Sequence, residues 1–117
     1  MRKAVRRVEK PWGYELIFAH TERYVGKLLH IEPGEALSLQ YHNHKDETFF
    51  VARGGIELQV EENGVLAPQR LEEGESYHVT PGTRHRMVAG EAGCDLFEVS
   101  TAEIDDVVRL EDRYGRS

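Results

Sequence analysis

The chain has 117 residues, 21 of them acidic and 15 basic, with a formal net charge of −6. This length predicts a single domain, residues 1–117, and the acidic balance argues against a nucleic-acid partner. The single cysteine excludes an intramolecular disulfide. No apolar segment approaches the roughly 20 residues of a membrane span, and the N-terminus lacks a signal-peptide core, so we expect a cytoplasmic protein that does not contact membranes.

Short apolar runs separated by turn residues fill most of the chain. The predicted strands are 15–19, 24–31, 36–42, 48–52, 56–60, 76–80, 85–89 and 95–101. The turns predicted between them lie at 32–34, 53–55, 62–64, 73–74 and 81–82. Asn63-Gly64 is a typical two-residue hairpin turn. Many short strands at this spacing predict an all-β antiparallel sandwich or jelly roll.

The last segment has a different pattern. Ser100 and Glu103 have the spacing of a helix capping box, and Ile104, Val107 and Val108 recur at helical spacing. This pattern predicts a short C-terminal helix. The β-branched Val107 and Val108 also fit an extended strand, so both interpretations stay open.

Side chains that can bind a metal alternate along the strand predicted at 36–42 and just beyond it. Gln40, His42 and His44 would share one face of an extended strand, because side chains alternate between the two faces. Glu47 shares its face with the apolar Phe49, so we expect it to point inward. A buried carboxylate needs a partner, and a metal ion is one such partner.

A second polar cluster supplies a further ligand, since His85 follows a Pro-Gly turn and begins another strand. The candidate ligand set is therefore His42, His44, Glu47 and His85, and the alternative set has Gln40 in place of His44. Imidazole nitrogens and a carboxylate suit one divalent transition metal, and the sequence does not distinguish among Zn, Mn, Fe, Co and Ni.

These two motifs resemble those of the cupin superfamily. The run from Gly34 to Gly54, through the histidines and Glu47, resembles the first cupin motif, and Gly74, Pro81, Gly82 and His85 resemble the second. Segments 10–15, 37–42 and 108–116 resemble the type II mannose-6-phosphate isomerase branch, which includes the C-terminal domain of bifunctional mannose-1-phosphate guanylyltransferase/mannose-6-phosphate isomerases. The resemblance implies a double-stranded β-helix barrel and a metal-dependent interconversion of mannose 6-phosphate and fructose 6-phosphate.

An aldose–ketose isomerase needs a base near the metal and cations for the phosphate group. The candidate bases are Glu98 and His78. Glu98 shares its strand face with Leu96 and Ser100, which permits either an inward or an outward carboxylate. The candidate phosphate-binding residues are Lys45, Arg84, Arg53 and Lys27.

Two other functions remain open at this point. One is a non-catalytic, metal-containing cupin that binds a sugar or sugar nucleotide, and the other is a metal-dependent oxygenase, since open histidine and carboxylate sites also serve iron. The apolar face of Leu37, Leu39 and Tyr41 would look outward if the histidine face lines the barrel, so the N-terminal Trp12 segment, a second sheet or another subunit must cover it. We expect a homodimer, the commonest closed oligomer.

Overall fold

The structure is a computed structural model that describes residues 1–116, and it consists of β-strands joined by turns. Within these described residues the nine strands are β1 (Arg6–Lys10), β2 (Gly13–His20), β3 (Val25–Ile31), β4 (Leu39–Tyr41), β5 (Glu47–Glu62), β6 (Val65–Glu72), β7 (Ser76–Val79), β8 (His85–Ser100) and β9 (Val108–Glu111). All pairings are antiparallel, and the sheet curls into a half-barrel. The all-β prediction is confirmed.

The sheet is organised around the two longest strands, β5 and β8. One path through the sheet runs β1-β2-β3-β8-β4-β9, and β5 pairs with β6, β7 and β8. Leu96 on β8 lies between its partners Leu29 on β3 and Val51 on β5, and all three side chains are buried. This row joins the two parts of the sheet through one apolar core.

The core follows from the period-two pattern of the long strands. On β5, Phe49 and Val51 are buried while Phe50 and Ala52 are exposed. The same alternation buries alternate residues from Ile56 onward. One face of the curled sheet is therefore largely apolar, and on β5 and β8 the buried polar residues of this face lie near the strand ends.

Several predicted strands are longer or shorter in the structure. Segments 48–52 and 56–60 are one strand, because the glycines at 54–55 form a bulge instead of a turn, and 85–89 and 95–101 likewise merge into β8. The strand predicted at 36–42 shrinks to β4. The prediction of a two-residue hairpin is confirmed: Glu62 pairs with Val65, and Asn63 and Gly64 both have positive φ.

The helix interpretation of the tail is wrong. Residues 101–107 form an irregular segment, and the chain then forms β9, in which Val108 pairs with Tyr41. Pairing with β4 satisfies the backbone groups of β9, so this part of the tail is extended, as its β-branched residues favour, and not helical. Within residues 1–116, no helix has the length and hydropathy needed to cross a membrane.

Of the three covers considered for the apolar face of β4, the structure shows cover by the chain's own segments. Leu37 and Leu39 are each only 8% exposed, because the chain itself covers them. Leu37 packs in the core cluster with Trp12, and Leu39 lies opposite Glu111 of β9. The homodimer stays a prediction, but this face no longer supports it.

The bulge in β5 generates a stability prediction. Gly54 and Gly64 have nearly equal φ, 77° and 79°. An added Cβ at Gly54 would lie 2.0 Å from the Gly93 carbonyl oxygen, whereas one at Gly64 meets nothing within 4 Å. We expect Gly64→Ala to lower the unfolding free energy by about 1 kcal/mol and Gly54→Ala by about 3 kcal/mol or more, measured by urea denaturation. Equal losses would contradict the close approach of the two strands.

Candidate metal centre and cavity

Two strand starts and one loop bring three polar side chains into the apolar interior. Glu47 begins β5 and His85 begins β8, and each lies on the inward face of its strand. His42 directly follows β4. The three side chains are only 1–2% exposed, so none of them is hydrated by bulk water.

The three side chains converge on one oxygen. Nε2 of His42 lies 3.0 Å from Oε1 of Glu47, and Nε2 of His85 lies 3.1 Å from the same oxygen. The ligand atoms all lie within 4.8 Å of one another. The His85 contact is close but not aligned as a hydrogen bond, which leaves that Nε2 without a hydrogen-bond partner among the described residues.

Backbone carbonyls determine the tautomer of both histidines. Nδ1 of His42 lies 2.6 Å from the Asp106 carbonyl oxygen, and Nδ1 of His85 lies 2.9 Å from that of Thr83. A carbonyl only accepts, so each Nδ1 carries the hydrogen and donates it. In the neutral rings each Nε2 then presents a lone pair toward the carboxylate of Glu47.

Three acceptors facing one point require a cation, either protons on the rings or a metal ion. Burial disfavours protonation of His42, but the contact with Glu47 outweighs it and raises the pKa of His42. Burial also disfavours the charged form of Glu47, yet the two imidazoles and Lys45 hold its pKa well below the ordinary value. The chemistry of this donor set therefore fits a divalent metal.

A buried lysine completes the polar cluster. Nζ of Lys45 lies 3.1 Å from Oε2 of Glu47 and 3.2 Å from Oε2 of Glu98. These contacts are ion pairs without hydrogen-bond alignment at the carboxylates. Although burial opposes the charge, the two carboxylates raise the pKa of Lys45. Burial, followed by repulsion from Glu47, raises the pKa of Glu98.

The structure does not bring His44 into this cluster. The expected alternation ends with β4, because residues 42–46 leave the strand and form a turn. The carboxylate of Asp106 accepts the backbone N–H groups of residues 43, 44 and 45 at 3.0, 2.7 and 3.0 Å. This turn directs Lys45 inward and leaves His44 exposed.

Gln40 lies on the face of the sheet that carries His85. Its cross-strand partner is His85, so the two side chains share a face, and Gln40 lines the same cavity as His42. Oε1 of Gln40 accepts a hydrogen bond from the Ser38 hydroxyl at 2.7 Å, which directs the amide. Gln40 therefore shares the face of the cluster, whereas His44 does not.

The two candidate bases lie in different environments. Glu98 is 5% exposed and lines the cavity beside Lys45. His78 lies on the outer surface of β7, where its Nε2 is 2.6 Å from Oδ1 of Asp46, and it does not line the cavity. The period-two pattern of β8 predicts the inward carboxylate of Glu98 once that strand is recognised as continuous to Ser100.

The predicted phosphate-binding residues lie partly inside the cavity and partly on the surface away from it. Lys27 is buried in the cavity, with Nζ 3.5 Å from both carboxylate oxygens of Glu15. Arg84 and Arg53 are exposed and lie beside Glu61 and Asp95, away from the cavity lining.

The cavity has a volume of about 430 Å³ and combines an apolar wall with a strongly charged one. It is lined by Arg6, Val8, Lys10, Trp12, Glu15, Lys27, Leu29, Leu37, Gln40, His42, Lys45, Glu98, Ile104, Asp105, Asp106, Val107, Arg109 and Arg116. Sequence reasoning missed four of the basic residues. The spacing of Arg6, Val8 and Lys10 could have indicated that Arg6 and Lys10 point the same way, since alternate residues of a strand share one face. Asp106 carried no such signal, because its partners lie more than 60 positions away.

Removing the buried ammonium generates a second stability prediction. Lys45→Met leaves two buried carboxylates without their common partner, and we expect a loss of about 3–5 kcal/mol in urea denaturation of the metal-free protein. Adding Glu98→Gln removes one of these charges and should recover part of the loss. The exposed Lys3→Met is the matched control and should change stability by less than about 0.5 kcal/mol. A loss below about 1 kcal/mol for Lys45→Met would contradict the buried ion pairs.

Known proteins match nearly the whole chain in sequence. Residues 1–112 match the family model described as "Mannose-6-phosphate isomerase C-terminal". The mannose-1-phosphate guanylyltransferase ManC of Salmonella typhimurium is 42% identical over 116 residues, covering 95% of this chain and 23% of that protein. The xanthan biosynthesis protein XanB of Xanthomonas campestris is 34% identical, covering 96% and 24%. The chain thus spans about a quarter of the length of these relatives.

Solved structures show the same architecture. KdgF from Halomonas sp. superposes with a TM-score of 0.72 at 21% identity, covering 88% of this chain and 89% of that one. Oxalate decarboxylase from Bacillus subtilis gives 0.79 at 19% identity, covering 91% and 30%. At these identities the likeness shows the fold, which confirms the cupin barrel. With the match over residues 1–112, it follows that the chain belongs to the mannose-6-phosphate isomerase C-terminal family of cupin domains.

Proposed function

We propose that this cupin is a metal-dependent sugar-phosphate isomerase that interconverts mannose 6-phosphate and fructose 6-phosphate. One observation carries the proposal: a single cavity contains a metal-binding donor, a buried carboxylate and an excess of basic side chains. An aldose–ketose isomerase needs these three elements together. The family match and the mannose-phosphate names of the relatives agree with this substrate class.

The donor set consists of His42, Glu47 and His85, with the Gln40 amide oxygen as the fourth ligand. Two nitrogens and two oxygens suit Zn, Mn, Fe, Co or Ni. A bound divalent ion would polarise the carbonyl and adjacent hydroxyl oxygens of the sugar. The Nδ1–H bonds to backbone carbonyls keep both imidazoles oriented with Nε2 toward Oε1 of Glu47, so these nitrogens would be available to an ion bound there.

Glu98 is the proposed base. Its carboxylate takes the proton from C2 of the aldose phosphate and returns it to C1, while the proton on O2 ends on O1. Burial and the neighbouring Glu47 raise the pKa of Glu98, which makes its carboxylate a stronger base than an exposed one. Lys45 holds this carboxylate in place through its 3.2 Å contact.

The charge of the cavity suits a phosphorylated ligand. Six basic and four acidic side chains line it, so the lining carries an excess of two positive charges. A phosphate monoester carries up to two negative charges near neutral pH. Arg6, Lys10 and Arg116 lie on the N-terminal and C-terminal segments, and we assign the phosphate group to this side of the cavity.

A non-catalytic sugar-binding domain is the second candidate. The observation that favours it is the ion pair between Glu98 and Lys45, since a buried carboxylate engaged by an ammonium must leave that partner before it can take a proton from a substrate. The two functions differ in turnover and not in binding.

Metal content tests the donor set. We expect about one divalent ion per chain after reconstitution, measured by elemental analysis, and its loss in His42→Ala and His85→Ala. Gln40→Ala should weaken metal binding at least tenfold. His44→Ala is the matched control, because His44 is the alternative fourth ligand, and it should change the affinity less than twofold. If His44→Ala loses the metal and Gln40→Ala retains it, the assignment of the fourth ligand is wrong.

Turnover tests the reaction. In a coupled assay with mannose 6-phosphate, Glu98→Gln should lower kcat about 10²–10⁴-fold, because it removes the base. Binding should persist, and it can be followed by fluorescence of Trp12, the one tryptophan of the chain, which lines the cavity. Glu103→Gln, at an exposed glutamate, is the control. Binding without turnover in the metal-loaded wild type would reject the isomerase and favour the binding domain.

A further inference from the structure

Two residues tie the segment between β8 and β9 to the loop of residues 42–46: Thr101 bonds to Asp46 at the end of the loop, and Asp106 bonds to the rest of it. Asp106 lies in this irregular segment, more than 60 positions from the loop that follows β4. Its Oδ1 accepts the N–H of Asn43, and its Oδ2 accepts the N–H groups of His44 and Lys45. One carboxylate therefore satisfies three successive backbone donors of the turn.

The same residue orients a proposed ligand through its backbone. The carbonyl oxygen of Asp106 accepts the Nδ1–H of His42 at 2.6 Å. The backbone and the side chain of Asp106 thus bind opposite ends of the short run from His42 to Lys45. The run cannot shift relative to β8 and β9 without breaking several of these bonds.

We infer that Asp106 is the positioning residue of the metal centre: its carboxylate fixes the 43–45 turn, which aims His42 Nε2 at Glu47 and directs Lys45 inward. The inference rests on the proposed function in one respect, namely that the His42, Glu47 and His85 cluster binds a divalent ion. Asp106 also lines the cavity, but the positioning role does not require it to contact the ion or the substrate. It acts through His42 and Lys45.

The hydrogen-bond pattern requires a carboxylate at this position. Two oxygens with free lone pairs face three donors, whereas an asparagine side chain offers one acceptor oxygen and turns its NH₂ group toward the remaining N–H. An aspartate therefore satisfies all three donors at 2.7–3.0 Å, whereas the amide leaves at least one of them unpaired.

The test compares Asp106→Asn with Glu103→Gln. Glu103 is an exposed acid of the same irregular segment and does not line the cavity. Full-length protein is titrated with Co²⁺, and the affinity and the visible d–d spectrum are recorded. We expect Asp106→Asn to bind Co²⁺ about 10–100-fold more weakly with a changed spectrum, and Glu103→Gln to bind within about twofold of wild type.

Amide hydrogen exchange of the metal-free proteins supplies an independent measurement. We expect exchange at His44 and Lys45 to become at least tenfold faster in Asp106→Asn than in wild type, with exchange in the core of β8 unchanged. A merely structural role would change the core as well. If Asp106→Asn does not fold, Asp106→Ser, which keeps one acceptor, replaces it in both measurements.

Unchanged Co²⁺ affinity and spectrum in the folded Asp106 variant would overturn the inference, as would unchanged exchange at residues 44 and 45. These results would leave the proposed function intact, because wild type would still bind the ion. Absence of Co²⁺ binding in wild type would instead reject the metal centre, and the positioning role with it.

Discussion

The site depends on the convergence of two imidazoles on one buried carboxylate oxygen. Backbone carbonyl oxygens accept hydrogen bonds from Nδ1–H of His42 and His85, so the Nε2 atoms of both rings present lone pairs to Oε1 of Glu47. This arrangement is unfavourable without a positive charge at its centre, because the site is too deeply buried for bulk water to hydrate the three acceptor atoms. A divalent ion resolves the conflict, which is why the metal is central to the proposed function.

The charged side chains around this cluster are also paired in the interior. Each of the buried carboxylates Glu15, Glu47 and Glu98 lies within ion-pair distance of a buried lysine. Lys45 neutralises part of two carboxylates at once, and this leaves the cluster able to accept further positive charge. These pairs are costly to separate, so the cavity wall is a fixed arrangement of charges that needs little reorganisation when a polar ligand binds.

The sequence predicted much of this arrangement. Period-two alternation placed Glu47 and His85 inward correctly, because both lie within long, regular strands. It failed at His44, since the chain leaves β4 after Tyr41 and the turn is set by Asp106, a residue distant in sequence. It failed again at the tail, where pairing of β9 with β4 overrode the helical spacing of Ile104, Val107 and Val108. Local pattern predicts faces of continuous strands, and it carries no information on contacts that join remote segments.

The most direct measurement is X-ray absorption spectroscopy of the wild-type protein reconstituted with Zn²⁺, because it counts the imidazole ligands of the bound ion. The structure predicts two imidazoles, from His42 and His85, with oxygen ligands completing the coordination. A third imidazole would mean that His44 enters the site and that the turn held by Asp106 opens. Failure to bind zinc or any other divalent transition metal would contradict the account at its centre.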